Sequence, residues 1–289
     1  MKNERNKKRS MAAEIWQRLC RNKMAMLGLA ILVLLILAAI FADVIADYDT
    51  KVVAQNISER LKGPSAAHWF GTDEFGRDIF ARIVHGSRVS LVVGLVSVSV
   101  SMIVGGSLGA FAGFYGGRVD NVIMRVMDVF LAVPSILLAI TIVAALGTNL
   151  INVMLAIGIS GTPSFARIVR AAVMGVKDQE FVESSRAIGA SSITIIFREI
   201  LPNCMAPIIV QATLSVASAI LSTASLSFIG LGVQPPAPEW GAMLSSGRNY
   251  LRDALHLTLF PGLAIVVTIL ALNLLGDGLR DALDPRLKQ

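Results

Sequence analysis

The chain has 289 residues, of which 54% are hydrophobic, 16% charged and 6% aromatic, with 26 Lys and Arg against 20 Asp and Glu for a formal charge of +6. An ordinary soluble domain carries roughly 25% Asp, Glu, Lys and Arg. A disordered chain couples high charge to low hydrophobicity, the reverse of the mean hydropathy of +0.67 found here. Both classes are excluded, and the places where charge is missing become the primary signal.

Uncharged runs occupy 24–42, 89–117, 129–166, 200–238 and 254–276. A helix rises 1.5 Å per residue and a bilayer core is ~30 Å thick, so one span takes about 20 apolar residues. The N-terminal MKNERNKKRS has the charge of a signal-peptide head. The apolar stretch after it exceeds the 7–15 residues of a signal core, and no small-x-small site ends it before Asp43. The expectation is therefore a cytoplasmic segment 1–23, suited to the anionic inner leaflet, and an uncleaved first span within 24–46.

The segment 47–88 is external in this reading. Trp69 and Phe70 suit an aromatic belt, and Gly71 and Gly76 permit turns. Ile79, Phe80, Ile83 and Val84 form an apolar stripe opposed by Asp78, Arg82 and Arg88, the pattern of a separate helix lying on the outer surface. The segment is either a simple connector or a receiver of substrate. His68, His85 and His256 lack the Cys, Asp or Glu spacing of a metal site, so no metal is expected, and Cys20 and Cys204 imply no disulfide.

Within the second span, 89–117, Gly105, Gly109, Gly113 and Gly117 recur every four residues and line one face for close helix packing inside the subunit. The run 129–166 is too long for one span and is cut by Gly147-Thr148-Asn149, giving two antiparallel spans at about 125–146 and 151–170. Pro202 and Pro235-Pro236 trim the next run to about 206–230, and 254–276 is the sixth span. The loop 234–238 before Trp240 reads as a stiff external gate or a stiff connector. With both termini inside, cytoplasmic segments hold eighteen basic residues and external ones eight, as the positive-inside rule requires. Fold class is thus all-α: a polytopic membrane protein with six transmembrane helices, a core at 89–276 and a cytoplasmic tail at 277–289.

Function classes narrow from the spans. Arg125, Asp128 and Asp277 lie near the cytoplasmic ends, so no acid sits at mid-bilayer to drive a secondary carrier. A carrier or channel subunit and an intramembrane serine hydrolase are the competing classes. The second rests on Gly158-Ile159-Ser160-Gly161, but the histidine downstream, His256, falls in an external loop. Hydroxyls at Ser215, Ser218, Ser222, Thr223, Ser225 and Ser227 read by default as packing; a water-filled path is the alternative, with Gln211, Ser222 and Asn273 to line it. There is no G-x-x-x-x-G-K-[ST] loop, hence no ATP binding in that manner by this chain.

The internal loop 171–205 is unusually ordered for a connector. Phe181 to Ile188 has helical spacing, Gly189 stands at a left-handed cap, and a second helical segment, about 192–201, ends at Leu201-Pro202. Such a helix held by an elbow can dock into the groove of a soluble partner.

Glu183-Ser184-Ser185, Gly189 and Ile200-Leu201-Pro202 resemble the EAA loop of ATP-binding-cassette importer permeases. Serines replace both usual alanines, and Glu199 takes the place of an isoleucine. Gly71-Thr72-Asp73 with Gly76-Arg77-Asp78 resembles the G-T-D-x-x-G-R-D segment of the dipeptide, oligopeptide and nickel permeases, specifically their second, C-type subunit. Ser225 to Gly232, Gln234 to Met243 and Asn273 to Asp281 are similar to the same subunit, so the resemblance runs from about residue 12 onward. It implies a bacterial inner-membrane permease with no enzymatic activity and no cofactor of its own, paired with a second permease subunit. It further implies two ATP-binding subunits, an extracytoplasmic substrate-binding protein, contact with membrane lipid and no nucleic acid. Coupling to the ATPase would fall to Glu183, Ser184, Ser185, Ala187, Gly189, Leu201 and Pro202. The resemblance points to di- or oligopeptides, with nickel or glutathione-like compounds as alternatives.

Overall fold

The computed structural model describes residues 11–283, so parts of the predicted cytoplasmic segments, 1–10 and 284–289, lie outside the described residues. Helix α1 (Met11–Arg21) is followed by Asn22, whose side chain accepts from the amides of Met24 and Ala25 and caps α2 (Lys23–Ile40). After the short α3 (Ala42–Ile45), the chain to residue 78 is irregular, with a π-turn at Tyr48–Val53 and a 3-10 turn at Ile57–Glu59. Then come α4 (Ile79–Tyr115), α5 (Gly117–Leu131), α6 (Ser135–Leu146) and α7 (Leu150–Met174). The loop beyond α7 carries α8 (Glu180–Ala187), then α9 (Ser192–Thr194) and α10 (Leu201–Asn203) on either side of a π-turn. Helix α11 (Met205–Phe228), the short α12 (Trp240–Gly247) and α13 (His256–Leu283) complete the order.

Five helices, α2, α4, α7, α11 and α13, are long and apolar enough to cross a bilayer, and α5 with α6 makes a sixth crossing if that pair is one span. The third span expected at 125–146 is not one straight helix. The chain breaks between Leu131 and Ser135 and turns by 86°. Pro134 has no N–H to donate and its ring disfavours helical backbone at Val133, so the helix ends there and restarts.

A separate surface helix at 79–88 is also corrected. Those residues are the first turns of α4, which runs 37 residues without interruption, about 55 Å at 1.5 Å per residue. No proline breaks it, and Asp78 caps it through the amide of Ala81 at 2.8 Å. Ile79, Arg82 and Val84 are buried against other elements rather than facing lipid or solvent.

Helices α4 and α7 form the centre. A side-chain atom added at Gly105 would stand 2.3 Å from the Thr162 carbonyl, at Gly109 2.3 Å from the Ala166 carbonyl, and at Gly113 2.8 Å from the Arg170 carbonyl. The glycine face packs inside the subunit, backbone against backbone. Gly117 is not on that face; with Gly116 it has positive φ and forms the corner between α4 and α5. Around this pair, α6 covers α7, α11 fills the side between α4 and α7, and α2 lies against α13. Long apolar side chains on α2, α6 and α13, such as Leu34, Leu137 and Val266, point outward, as lipid contact requires.

Candidate functional site

Three regions of the fold hold the sequence-predicted residues. The first is a cleft of about 200 Å³ between α4, α6, α7 and α11. Ser97 and Ser101 reach it from α4, Ser135 from α6, Ser160 and Ser164 from α7, and Gln211, Ser215, Ser218 and Ser222 from α11. Apolar patches from Ile157, Phe165 and Ala219 separate these hydroxyls, and no Asp, Glu, Lys or Arg is among the lining residues. The cleft is polar without being charged, so it offers hydrogen bonds to a solute and no fixed ion partner.

Several of these hydroxyls return bonds to helix backbone. Ser160 donates to the Ala156 carbonyl at 2.7 Å, and Ser101 crosses from α4 to the Gly158 carbonyl of α7 at 2.6 Å. The Gln211 amide donates to Ser215 at 3.0 Å, whereas the buried Ser97 hydroxyl has no partner. Of the residues named from sequence, Gln211 and Ser222 lie on the cleft; Asn273 is exposed on α13 and does not line it. Sequence reasoning missed Ser97, Ser101, Ser135 and Ser164. The available signal was pairing at helical spacing: Ser97 with Ser101, Ser160 with Ser164, and Gln211 with Ser215, Ser218 and Ser222, each set on one face.

The structure leaves Ser160 without a base. His256 opens α13 and sets its Nε2 3.3 Å from the Thr72 carbonyl, among the residues that precede α4. Ser160 and His256 therefore serve different regions, and the geometry of a serine hydrolase is absent.

The second region is the loop after α7. Val182, fully buried, plugs α8 into a cluster formed with Phe114 of α4, Val169 and Val173 of α7, and Ile195, Ile196 and Ile200. Glu183, Ser184, Ala187 and Gly189 face outward, while Ser185 is half-buried and bonds back to the Phe181 carbonyl at 3.0 Å. Gly189 adopts φ +83°, and the amides of Gly189 and Ala190 close on the carbonyls of Arg186 and Ser185. This is the left-handed stop that ends α8 and turns the chain. Leu201 packs on the same cluster and Pro202 is exposed at the start of α10. Large apolar side chains are left bare here: Ile188 is 85% and Ile193 61% exposed, and Phe197 adds to them.

The third region precedes α4, at the opposite end of that helix. Thr72, Asp73, Arg77 and Arg82 are all buried. The Arg77 Nε donates to Asp73 Oδ2 at 2.6 Å, and Arg82 Nε lies 3.5 Å from the same oxygen. Asp73 Oδ1 also accepts the amides of Phe75 and Arg77, both at 2.9 Å. Asp78, besides capping α4, stands 2.8 Å from His68 Nδ1, whose Nε2 is 3.3 Å from Glu59. Gly71 and Gly76 hold positive φ at 79° and 74°, and a side chain at Gly76 would strike the Asn56 backbone at 1.8 Å. The segment is a packed ionic knot that fixes the entry to α4. Among the described residues, no group of three or more His, Cys, Asp and Glu side chains is arranged to hold a metal ion.

Glu239 is buried and caps α12, accepting from the amides of Gly241 and Ala242 at 3.0 and 2.9 Å. Burial pushes its carboxyl up from the ordinary value, opposed by these backbone bonds and by Ser227.

The structure is thus a helical bundle with an uncharged cleft, an ordered loop at one end and a fixed ionic segment at the other. Residues 105–289 match the family described as the binding-protein-dependent transport system inner membrane component, and residues 10–64 match the N-terminal TM domain of oligopeptide transport permease C. The chain belongs to the first of these families and is a multi-pass permease of an ATP-binding-cassette importer.

Its similarity extends over almost all of its length to the dipeptide transport system permease protein DppC of Alkalihalophilus pseudofirmus, 50% identical over 275 residues that cover 95% of this chain and 90% of that one. The di/tripeptide transport system permease protein DppC of Pseudomonas aeruginosa is 50% identical over 279 residues, covering 95% and 92%. The glutathione transport system permease protein GsiD of Escherichia coli is 49% identical over 275 residues, covering 95% and 90%. Among solved structures, an inward-facing MetNI methionine ABC transporter superposes with a TM-score of 0.56 at 18% identity, covering 70% of this chain and 96% of that one, a likeness of fold.

Proposed function

We propose that this permease subunit carries di- or oligopeptides across a bacterial inner membrane, with both termini in the cytoplasm, and that α8 receives the force that drives it. The observation that supports the second point is the construction of α8. Val182 anchors it from below, while Ile188, Ile193 and Phe197 stand bare beside an acidic and hydroxyl face at Glu183 and Ser184. Exposed apolar side chains on an ordered helix and elbow form a surface that a partner desolvates. That partner is an ATP-binding subunit in this reading, as membership of an ATP-binding-cassette importer family implies.

The cleft between α4, α6, α7 and α11 is this subunit's share of the path, closed on its other side by a second permease subunit. A wall of hydroxyls and small apolar side chains suits a solute whose common feature is a polar amide backbone and whose side chains vary. The 50% identity to dipeptide and di/tripeptide permeases favours peptides; the similar identity to a glutathione permease keeps a modified tripeptide within the same chemistry. Substrate delivery by a binding protein would occur at the end of α4 fixed by the Gly71, Thr72, Asp73, Gly76, Arg77 and Asp78 segment.

The test is reconstitution of the permease pair with its ATPase subunits and binding protein in proteoliposomes. Labelled dipeptide should accumulate with ATP, and an uncoupler should leave that accumulation intact. Uptake that needs an ion gradient instead would overturn the ATP-driven reading. Gly189→Pro should abolish assembly with the ATPase or coupled uptake while the subunit still inserts. Persistence of substrate-stimulated hydrolysis in that variant would remove α8 from the mechanism.

A further inference from the structure

Between α8 and the cleft lies a pair of ion pairs that neither α8 docking nor solute passage uses. The Arg170 Nη2 of α7 meets Asp120 Oδ2 of α5 at 2.6 Å, its Nε engages the second oxygen, and Arg167 Nη2 meets Asp128 Oδ1 at 2.6 Å. The two arginines are about one turn apart on α7, and the two aspartates about 12 Å apart along α5. Apolar packing does little to hold α5, because Asp120 and Met127 are its only buried residues. Among the described residues, no α5 side chain belongs to a buried apolar cluster, and these two ion pairs join it to α7, in contrast with α4, whose glycines put backbone on backbone.

The ends of this arrangement differ in what they touch. Arg170 belongs to the stretch of α7 whose Val169 and Val173 seat α8, and Arg186 of α8 stacks its guanidinium 5.1 Å from the Phe114 ring in the same cluster. At its far end α5 reaches the 86° break, and the next helix begins with Ser135, a lining residue of the cleft. A force on α8 that displaced the α4–α7 pair would reach α5 through these two salt bridges, and α6 would follow α5 about the Ala132–Pro134 elbow.

We propose that Asp120 and Arg170 are positioning residues of the transport stroke, seconded by Asp128 and Arg167, and act by carrying α5 with α7 so that α6 moves in the cleft. This rests on the reading that α8 receives the ATPase. A bidentate guanidinium–carboxylate pair suits the role because it fixes angle as well as distance.

The experiment uses the whole reconstituted transporter, with uptake and ATP hydrolysis measured on the same proteoliposomes. Asp120→Arg and Arg170→Asp should each lower the peptide taken up per ATP by about tenfold, within the usual range of a coupling free energy, while hydrolysis continues. The double exchange, Asp120→Arg with Arg170→Asp, should recover most of that ratio, which loss of fold would not allow. A ratio unchanged in the single variants, or a double exchange no better than either, overturns the proposal. Should the single variants fail to assemble, Arg167→Gln at the exposed pair decides: a lowered ratio supports the clamp and an unchanged one refutes it. Ile188→Asp separates the underlying reading, since unimpaired ATPase binding in that variant would refute α8 docking and leave the clamp result standing.

Discussion

Trp240 donates its indole N–H to the Ile83 carbonyl at 3.0 Å, and its ring lies 2.9 Å from where a side chain on Gly86 would begin. This contact joins α12 to the first turns of α4 across 157 residues of sequence. Trp240 is fully buried, so Trp240→Ala should cost roughly 3–5 kcal/mol. Gly86→Val should lower thermal stability through the same contact by displacing the ring. Melting temperatures of the detergent-solubilised permease would check both, and a Gly86→Val protein as stable as the parent would contradict the packing described.

The α4–α7 seam separates two neighbouring glycines. Gly105→Ala and Gly109→Ala drive a methyl into carbonyl oxygens at 2.3 Å, while the nearest atom to a methyl at Gly106 is a Val169 methyl at 3.8 Å. Backbone cannot step aside as a side chain can, so the first two changes should each destabilise by about 1–3 kcal/mol. Gly106→Ala should be neutral, and yield of monodisperse protein ranks the three.

In the ionic knot, Asp73 accepts from Arg77 and lies close to Arg82, all three about 5% exposed. Removing one member of a buried pair leaves uncompensated charge and costs about 3–5 kcal/mol. Asp73→Ala should therefore abolish accumulation of folded protein, whereas Lys62→Ala, at the exposed pair with Glu59, should change stability by less than about 1 kcal/mol. Membrane-fraction yields of the two variants measure the contrast.

Burial raises the Glu239 carboxyl above its ordinary 4.5, so the folded chain holds this proton more tightly than the unfolded chain does. The stability it contributes is present below that ordinary value and is lost as pH rises through the raised one. Hydrogen exchange of the Trp240–Gly247 amides, corrected for intrinsic rate, should show α12 opening more readily as pH climbs through this window. Glu239→Gln should flatten that dependence, and Glu239→Ala should weaken the cap by about 0.5–2 kcal/mol at every pH.

Much of the membrane architecture was legible because lipid excludes charge, and the gaps between charged residues fall on α2, α4, α7, α11 and α13. The α8 elbow was legible too, since a residue like Gly189 at φ +83° is a local requirement that local sequence must meet. The continuity of α4 was not. Arg82 and Arg88 mark a surface when read alone, whereas the fold buries Arg82 beside Asp73 and sends Arg88 to the Ala39 carbonyl at 2.9 Å.

The sequence by itself determined an all-helical membrane chain with an ordered loop at 171–205, because desolvation of charge and the conformational demands of glycine and proline act over a few residues. Only the tertiary structure decided which serines share a cleft, that the Ser160 hydroxyl has no histidine, and that Asp120 answers Arg170 from 50 positions away. Those are relations between helices. Helix packing sets them, and the periodicity of any one helix is compatible with many partners.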